Sequence, residues 1–264
     1  MSILVVLINY RRPQNLLEIL PAVRAQSEPC KIVVVDNHPE SEPECRLPSE
    51  VEASVDDVWR FKQNTGPSCR FAPALLTHDC EYVAFLDDDL VPGSQAIGHL
   101  LKTAKQVNDK FATIGEIGRI FPRAVDRGHL DYRYAPKNVT RTEAPRQVDM
   151  TCRAHFVRAE LVRHALDLKW DLLRRYANTD YPQVLYTHDD ILLCGSQHAG
   201  ISVQRATGYP SYMTPLGPTD TAIIAKELPD PNAVHHRPGH KKTRSRLVSR
   251  CGLVGWKSLL ENGT

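Results

Sequence analysis

Residues 81–92 read EYVAFLDDDLVP. The run from Tyr82 to Leu86 is continuously apolar, as in a strand covered on both faces of a sheet. It leads straight into Asp87, Asp88 and Asp89. Open α/β sheets bind their ligands at the carboxyl ends of the strands, so three acids stand where such a sheet would work. In an extended segment residues i and i+2 share a side. Asp87 and Asp89 are therefore expected to face one point, with Asp88 facing elsewhere. Two carboxylates on one point repel unless a cation lies between them. Hard oxygen ligands suit Mg²⁺ or Mn²⁺, which retain waters and accept substrate phosphates. Such an ion would neutralise a diphosphate leaving group. The competing reading is a solvated acidic turn that caps the next helix, where acids are mildly stabilising.

Upstream, the chain alternates apolar runs with helical patterns. Ile3 to Ile8 reads as a buried strand. Pro13 opens a helix with Leu16, Leu17, Leu20 and Val23 on one face. Ile32 to Val35 is a second buried strand, ending at Asp36-Asn37. His38 to Glu50, rich in Pro, Glu and Ser, reads as a surface loop. Val58 to Lys62 is a further strand, and Pro67 begins a helix carrying Phe71, Leu75 and Leu76. Downstream, the pattern predicts a helix from about Ser94 to Val107 and a strand from Ile114 to Ile120. Gly128 to Arg146 is long and polar, with Tyr132 and Tyr134, a length typical of functional loops. Val157–Leu168 and Ile191–His198 read as helices, and Ile201–Ala206 as a strand. This alternation predicts an α/β fold with a central, mostly parallel sheet flanked by helices.

Composition bounds the function. The 264 residues are 42% hydrophobic and 24% charged, enough to bury a full core. A net charge of +2 gives no global attraction to nucleic acid or membrane. The 7 cysteines are scattered, without C-x-x-C spacing, so reduced thiols in a cytoplasmic protein are expected. The apolar start SILVVLI is too short for a signal peptide. No stretch approaches the roughly 20 apolar residues of a transmembrane segment. Asn138-Val139-Thr140 and Asn262-Gly263-Thr264 are read as chance matches to the glycosylation pattern.

With these motifs in hand, the chain resembles the GT-A glycosyltransferases. VLINYRRPQNLLEILPAVRAQ followed by KIVVVDN looks like the start of the large inverting bacterial family. NTGPSCRFAPALLTHDCEYVAFLDDDLVP is similar both to that family and to exostosin-like transferases. THDDILLC resembles the family's acidic pair on the acceptor side, usually Glu-Asp, with Asp189 here in first place. The resemblance implies a nucleotide-diphospho-sugar transferase fold in one domain over residues 1–264. Residues 1–120 would form the nucleotide-sugar lobe, 121–235 the acceptor lobe and 236–264 a basic C-terminal segment.

The resemblance also implies roles. Asn9, Tyr10 and Arg11 would line the nucleoside pocket. Asp36 would accept a hydrogen bond from the base, normally uracil. Asn64 and Arg70 would contact the nucleotide, the arginine through its planar fork of donors. Asp88 would face ribose or donor sugar. Asp87 and Asp89 would hold the metal, with His240 from HHRPGHKKTRSR as a third ligand and His188 as an alternative. Asp190 would be the base that deprotonates the acceptor hydroxyl, and Asp189 would hold the acceptor. Each has a plainer competitor: Asn9 and Asp36 as strand-end turn formers, Arg70 as a surface arginine, Asp189 and Asp190 as helix caps.

The implied reaction moves a sugar from a nucleoside-diphosphate sugar, normally UDP-linked, to a hydroxyl on a glycan, a lipid-linked acceptor or a modified DNA base. The DNA-base acceptor is motivated by Lys241, Lys242, Arg244 and Arg246; that run reads equally as a tail closing over the diphosphate or a solvated helix face. The opening third implies inversion of the anomeric centre, whereas the exostosin-like stretch implies retention. A nucleotidyltransferase is disfavoured because NYRRPQN lacks the glycines of a phosphate loop. A non-catalytic sugar-nucleotide-binding protein is disfavoured by the retained Asp190. Sugar, acceptor and oligomeric state leave no mark in the sequence.

Overall fold

The computed structural model describes residues 2–76, 79–120, 137–139, 145–152, 154–176, 202–205 and 213–216. Its framework is an eight-stranded sheet. Strands β1 (Ile3–Asn9), β2 (Cys30–Asp36), β3 (Asp57–Arg60) and β4 (Tyr82–Leu86) lie in the order β3-β2-β1-β4, all parallel. Their carboxyl ends therefore share one edge. The order turns back on itself between β1 and β4, the kind of crevice in which open α/β sheets bind ligands.

Beyond β4 the sheet becomes mixed. Strand β11 (Ala154–Arg158) pairs antiparallel with β4, and β6 (Thr113–Gly115), β12 (Ser202–Arg205) and β9 (Pro145–Val148) follow outward. A second sheet runs β10 (Met150–Cys152), β7 (Ile117–Ile120), β8 (Lys137–Val139). A two-stranded ribbon joins β5 (Leu90–Pro92) to β13 (Met213–Pro215).

Strand alternation sorts the core into two layers. On β1, Ile3, Val5 and Leu7 face one way. They pack with Leu16, Ile19, Leu20 and Val23 of α1 (Asn15–Arg24), Val51 of α2 (Ser49–Ala53) and Ile97, Leu100 and Leu101 of α4 (Ala96–Val107). Leu4, Val6 and Ile8 face the other way. They meet Phe71 and Ala74 of α3 (Phe71–Leu76) and Leu161, Val162, Ala165 and Leu172 of α5 (Ala159–Tyr176). Truncating a buried leucine or isoleucine in either layer to alanine costs about 2–5 kcal/mol. Both layers clamp β1 and β4, so the strand ends that carry polar side chains are fixed to rigid elements.

Four expected elements differ in detail. Regular helix starts at Asn15, because Pro13 occupies a preceding turn in which its carbonyl accepts from Leu16 N at 3.2 Å. Residues 114–120 form two strands in separate sheets, with the chain breaking step at Glu116. On β7, Gly118 abuts the Val148 side chain so closely that no Cβ would fit. Val157, expected in a helix, ends in β11; its apolar side chain serves the sheet, and α5 then runs to Tyr176. Within the expected loop 38–50, a single 3₁₀ turn (Pro43–Cys45) and the start of α2 bury Cys45, Leu47 and Val51.

Candidate active site at the carboxyl edge of the parallel strands

Two groups of polar side chains sit on the shared strand edge. The first lies between β1 and β2, where Asn9 and Asp36 are register partners. Asn9 Nδ2 donates to Asp36 Oδ1 at 2.8 Å and to the Cys45 carbonyl at 3.0 Å. His38 Nδ1 lies 2.6 Å from the same Asp36 oxygen. All three side chains are buried. Asp36 Oδ1 is thus saturated, while buried Asp36 Oδ2 and Asn9 Oδ1 have no hydrogen-bond partner among the described residues. Leaving a buried acceptor unpaired costs about 1–3 kcal/mol, so this corner carries an unmet hydrogen-bonding demand.

Asn37 builds the wall beside it. Its Oδ1 accepts from Thr65 N at 2.9 Å and Thr65 Oγ1 at 3.0 Å, and its Nδ2 donates to Asn64 Oδ1 at 3.1 Å. Asn64 Oδ1 also receives Gly66 N at 2.8 Å. The Asn64 carbonyl therefore holds the loop's own shape. Gly66 has φ 80°, a conformation that favours glycine, and it lets the chain swing into the 3₁₀ turn Pro67–Arg70.

The second group lies between β1 and β4. The strand ends at Leu86, and Asp88 and Asp89 form a turn before β5. The two-residue alternation of β4 ends before this turn. Asp88 Oδ1 and Asp89 Oδ2 both accept from Arg12 Nη1, at 3.0 and 3.2 Å. Asp87 Oδ1 instead accepts from Arg70 Nη1 at 3.0 Å. Arg70 is 2% exposed, with its guanidinium 5.5 Å from the centre of the Phe85 ring; it is no surface arginine. Asn15 Nδ2 donates to the Asp88 carbonyl at 2.9 Å, and Tyr10 N lies 3.4 Å from Asp88 Oδ2. Burial first, then the Asp89 and Asp87 charges, push the Asp88 carboxyl up to about 7, against the pull of Arg12 and the Tyr10 amide.

Tyr10 and Arg11 stand between the two groups. Arg11 has φ 64°, an uncommon left-handed backbone for a residue with a side chain. Its guanidinium pairs with Glu42 and lies 5.3 Å from the centre of the Tyr10 ring. The kink sends Arg11 toward the loop after β2 and lets Arg12 reach the acidic turn. The sequence reading passes over Arg12, His38 and Asn15. The doubled arginine after an apolar strand was the available signal for Arg12; nothing in the pattern marks Asn15. Asp189, Asp190, His188, His240, Tyr132 and Tyr134 lie outside the described residues.

Among the described residues no three His, Cys, Asp or Glu side chains form a metal-holding group. Two carboxylates do converge, and Mg²⁺-type ions are commonly held by one or two carboxylates with substrate phosphates completing the shell. Asp88 and Asp89 fit that donor set.

A parallel sheet with a polar corner at one strand end and an acidic turn at the next is the architecture of a GT-A nucleotide-sugar glycosyltransferase. The sequence agrees: residues 4–164 match the model of glycosyl transferase family 2, and the chain belongs to that family. A search of curated proteins gives no match. Among solved structures the fold is similar to S. aureus TarS, at 14% identity and TM-score 0.51 over 94% of this chain and 43% of that one. It is also similar to TarS 1-349, at 17% identity and TM-score 0.51 over 89% and 68%. The complex of TarS 1-349 with UDP-GlcNAc aligns at 16% identity and TM-score 0.50, over 80% and 60%. The chain thus spans less than half of the longer TarS. No helix among the described residues is long and apolar enough to cross a membrane.

Proposed function

We propose that this glycosyltransferase transfers a sugar, a hexose or a close relative, from a UDP-sugar to an acceptor hydroxyl, with a divalent cation at the acidic turn. The observation that carries this reading is the pairing of two unlike ends on one sheet edge. At one end a buried carboxylate oxygen, Asp36 Oδ2, lacks a donor; the ring N–H of uracil is such a donor. At the other end Asp88 and Asp89 converge beside two arginines. A nucleoside diphosphate has the matching sequence of groups: a base with an N–H, then a chain of anionic oxygens. The UDP-GlcNAc complex of TarS 1-349 supports UDP as the nucleotide.

Mg²⁺ or Mn²⁺ bound at Asp88 and Asp89 would act as a Lewis acid toward the leaving diphosphate. The chain's own residues do the rest. Asp36, held rigid by Asn9 and His38, reads the base. The Tyr10 ring offers a face for stacking. Arg70, locked beneath Phe85, keeps Asp87 oriented. Asp190 is proposed as the base that takes the acceptor proton as attack proceeds, giving inversion, with Asp189 beside it on the acceptor and His240 as a further metal ligand. The test is a thermal-shift screen of nucleotide sugars with and without Mn²⁺, followed by a UDP-release assay. A ligand that binds only the folded state raises its melting temperature. Stabilisation by UDP-sugars that needs Mn²⁺ supports the reading. Equal response to every nucleotide, or UDP release unaffected by chelator, contradicts it.

A further inference from the structure

Arg12 raises a question that the proposed function leaves open. One of its nitrogens, Nη1, lies within hydrogen-bond distance of both carboxylates assigned to the cation, at 3.0 Å from Asp88 and 3.2 Å from Asp89. The same two oxygens are thus already bound by a positive group. The Asp88 side chain is 11% exposed and that of Asp89 24%, so the contact is shielded from solvent. Charge pairs in such places are stronger than exposed ones and are less screened by salt.

The position of Arg12 lets it change partners. It follows the left-handed Arg11 and precedes the turn that opens α1, on the short connection between β1 and the helix. Its side chain is 26% exposed, so it is not sealed in the core. A guanidinium fork suits phosphate oxygens as well as carboxylates. Arg70 differs in both respects: its side chain is 3% exposed, and its partner is Asp87.

We infer that Arg12 is a resident counter-ion that makes cation binding conditional on the donor. In the free protein it neutralises Asp88 and Asp89 and competes with the divalent ion. When a nucleoside diphosphate arrives, Arg12 transfers its hydrogen bonds to the diphosphate oxygens, and the freed carboxylates accept the cation. This rests on the assignment of the acidic turn to a metal. Arg12 is on this view a positioning residue that sets the order of binding. Coupling of this kind is reciprocal: UDP must tighten Mn²⁺ by the same factor as Mn²⁺ tightens UDP.

The test reads metal binding directly, by electron paramagnetic resonance of free Mn²⁺, on wild type, Arg12→Gln and Arg12→Lys, each with and without UDP. Melting curves verify that each variant is folded. Arg12→Gln is expected to bind Mn²⁺ alone about 10-fold or more tightly than wild type, and the gain from UDP should shrink by a similar factor, the scale of an ordinary coupling energy. Arg12→Lys, which keeps the charge, should stay near wild type. Unchanged Mn²⁺ affinity in Arg12→Gln without UDP, while Mn²⁺ still binds with UDP, overturns the proposal and leaves the metal assignment standing. Absence of Mn²⁺ binding to all three proteins even with UDP removes the metal assignment and this inference together.

Discussion

The two ends of the candidate site solve different problems with different chemistry. At the β1–β2 end, Asn9, Asp36 and His38 are buried, strand pairing holds Asn9 and Asp36 in register, and hydrogen bonds do the work. At the β1–β4 end, charges do it: two arginines face three aspartates around a turn. On the proposed function, the first end would discriminate, because an unpaired acceptor penalises a base that cannot donate to it. The second would, on the same proposal, stabilise the leaving diphosphate through its cation, where electrostatic stabilisation is most effective. Binding and chemistry would then fall on adjacent strand gaps, and substitutions at the two ends should have separable signatures.

The largest separation is expected from Asp89→Asn. It should lower kcat/KM for the sugar donor by about 10³-fold or more, as for lost stabilisation of transition-state charge, and should abolish Mn²⁺ binding in the presence of UDP. Steady-state kinetics beside a metal titration reads both. Next comes Asp36→Asn, which should raise KM for the donor about 10–100-fold while kcat stays within a few-fold, the pattern of lost uniform binding. If Asp36→Asn instead cut kcat as deeply as Asp89→Asn, the division between the ends would fail.

A smaller effect is expected on stability. The Asp88 carboxyl is pushed up to about 7 from an ordinary value of 3.8. A carboxyl raised on folding leaves the fold fully stable below the unfolded value and costs stability as pH climbs through the folded one. Asp88→Asn removes that cost. In metal-free buffer the variant should melt higher than wild type at pH 8, on the order of 5 °C, and the gap should close toward pH 4. A gap that does not depend on pH would mean that Asp88 is not held out of its normal range. The smallest effect belongs to the wall of the base corner. Asn37→Ala loses the clasp on Thr65 and Asn64 and should cost about 1 kcal/mol, read by denaturant titration, with kcat unchanged.

The same contrast explains what the sequence could disclose. Strands β1, β2 and β4 were legible because continuous apolar runs have no other stable home in an α/β sheet. The acidic triplet followed from that reading, since it sits where a buried run stops, whereas the roles of Asn9 and Asp36 came from the family resemblance. What escaped depended on departures from regular geometry. The sharing of Arg12 by Asp88 and Asp89 was not foreseen, because alternation was extended past Leu86, where the chain turns. Arg12 was missed because the positive φ of Arg11 breaks the alternation that would have ranked the two arginines. Strands β5 and β13, three residues each, are too short to show any period. The break at Glu116 hid within a run that reads as one strand.

Leu216 N donates to the Asp89 carbonyl at 2.8 Å, at the end of the ribbon that joins β5 to β13. The backbone that carries the acids is therefore stapled by residues made much later in synthesis. A nascent chain can pair β1, β2 and β4 well before that, but the staple waits for position 216, and contacts of such long range are slow to close. Ribosome-stalled chains ending before residue 213 should expose this turn to amide exchange, and longer ones should protect it. Maturation of the acidic edge would then be timed by translation rather than by the sheet's own assembly.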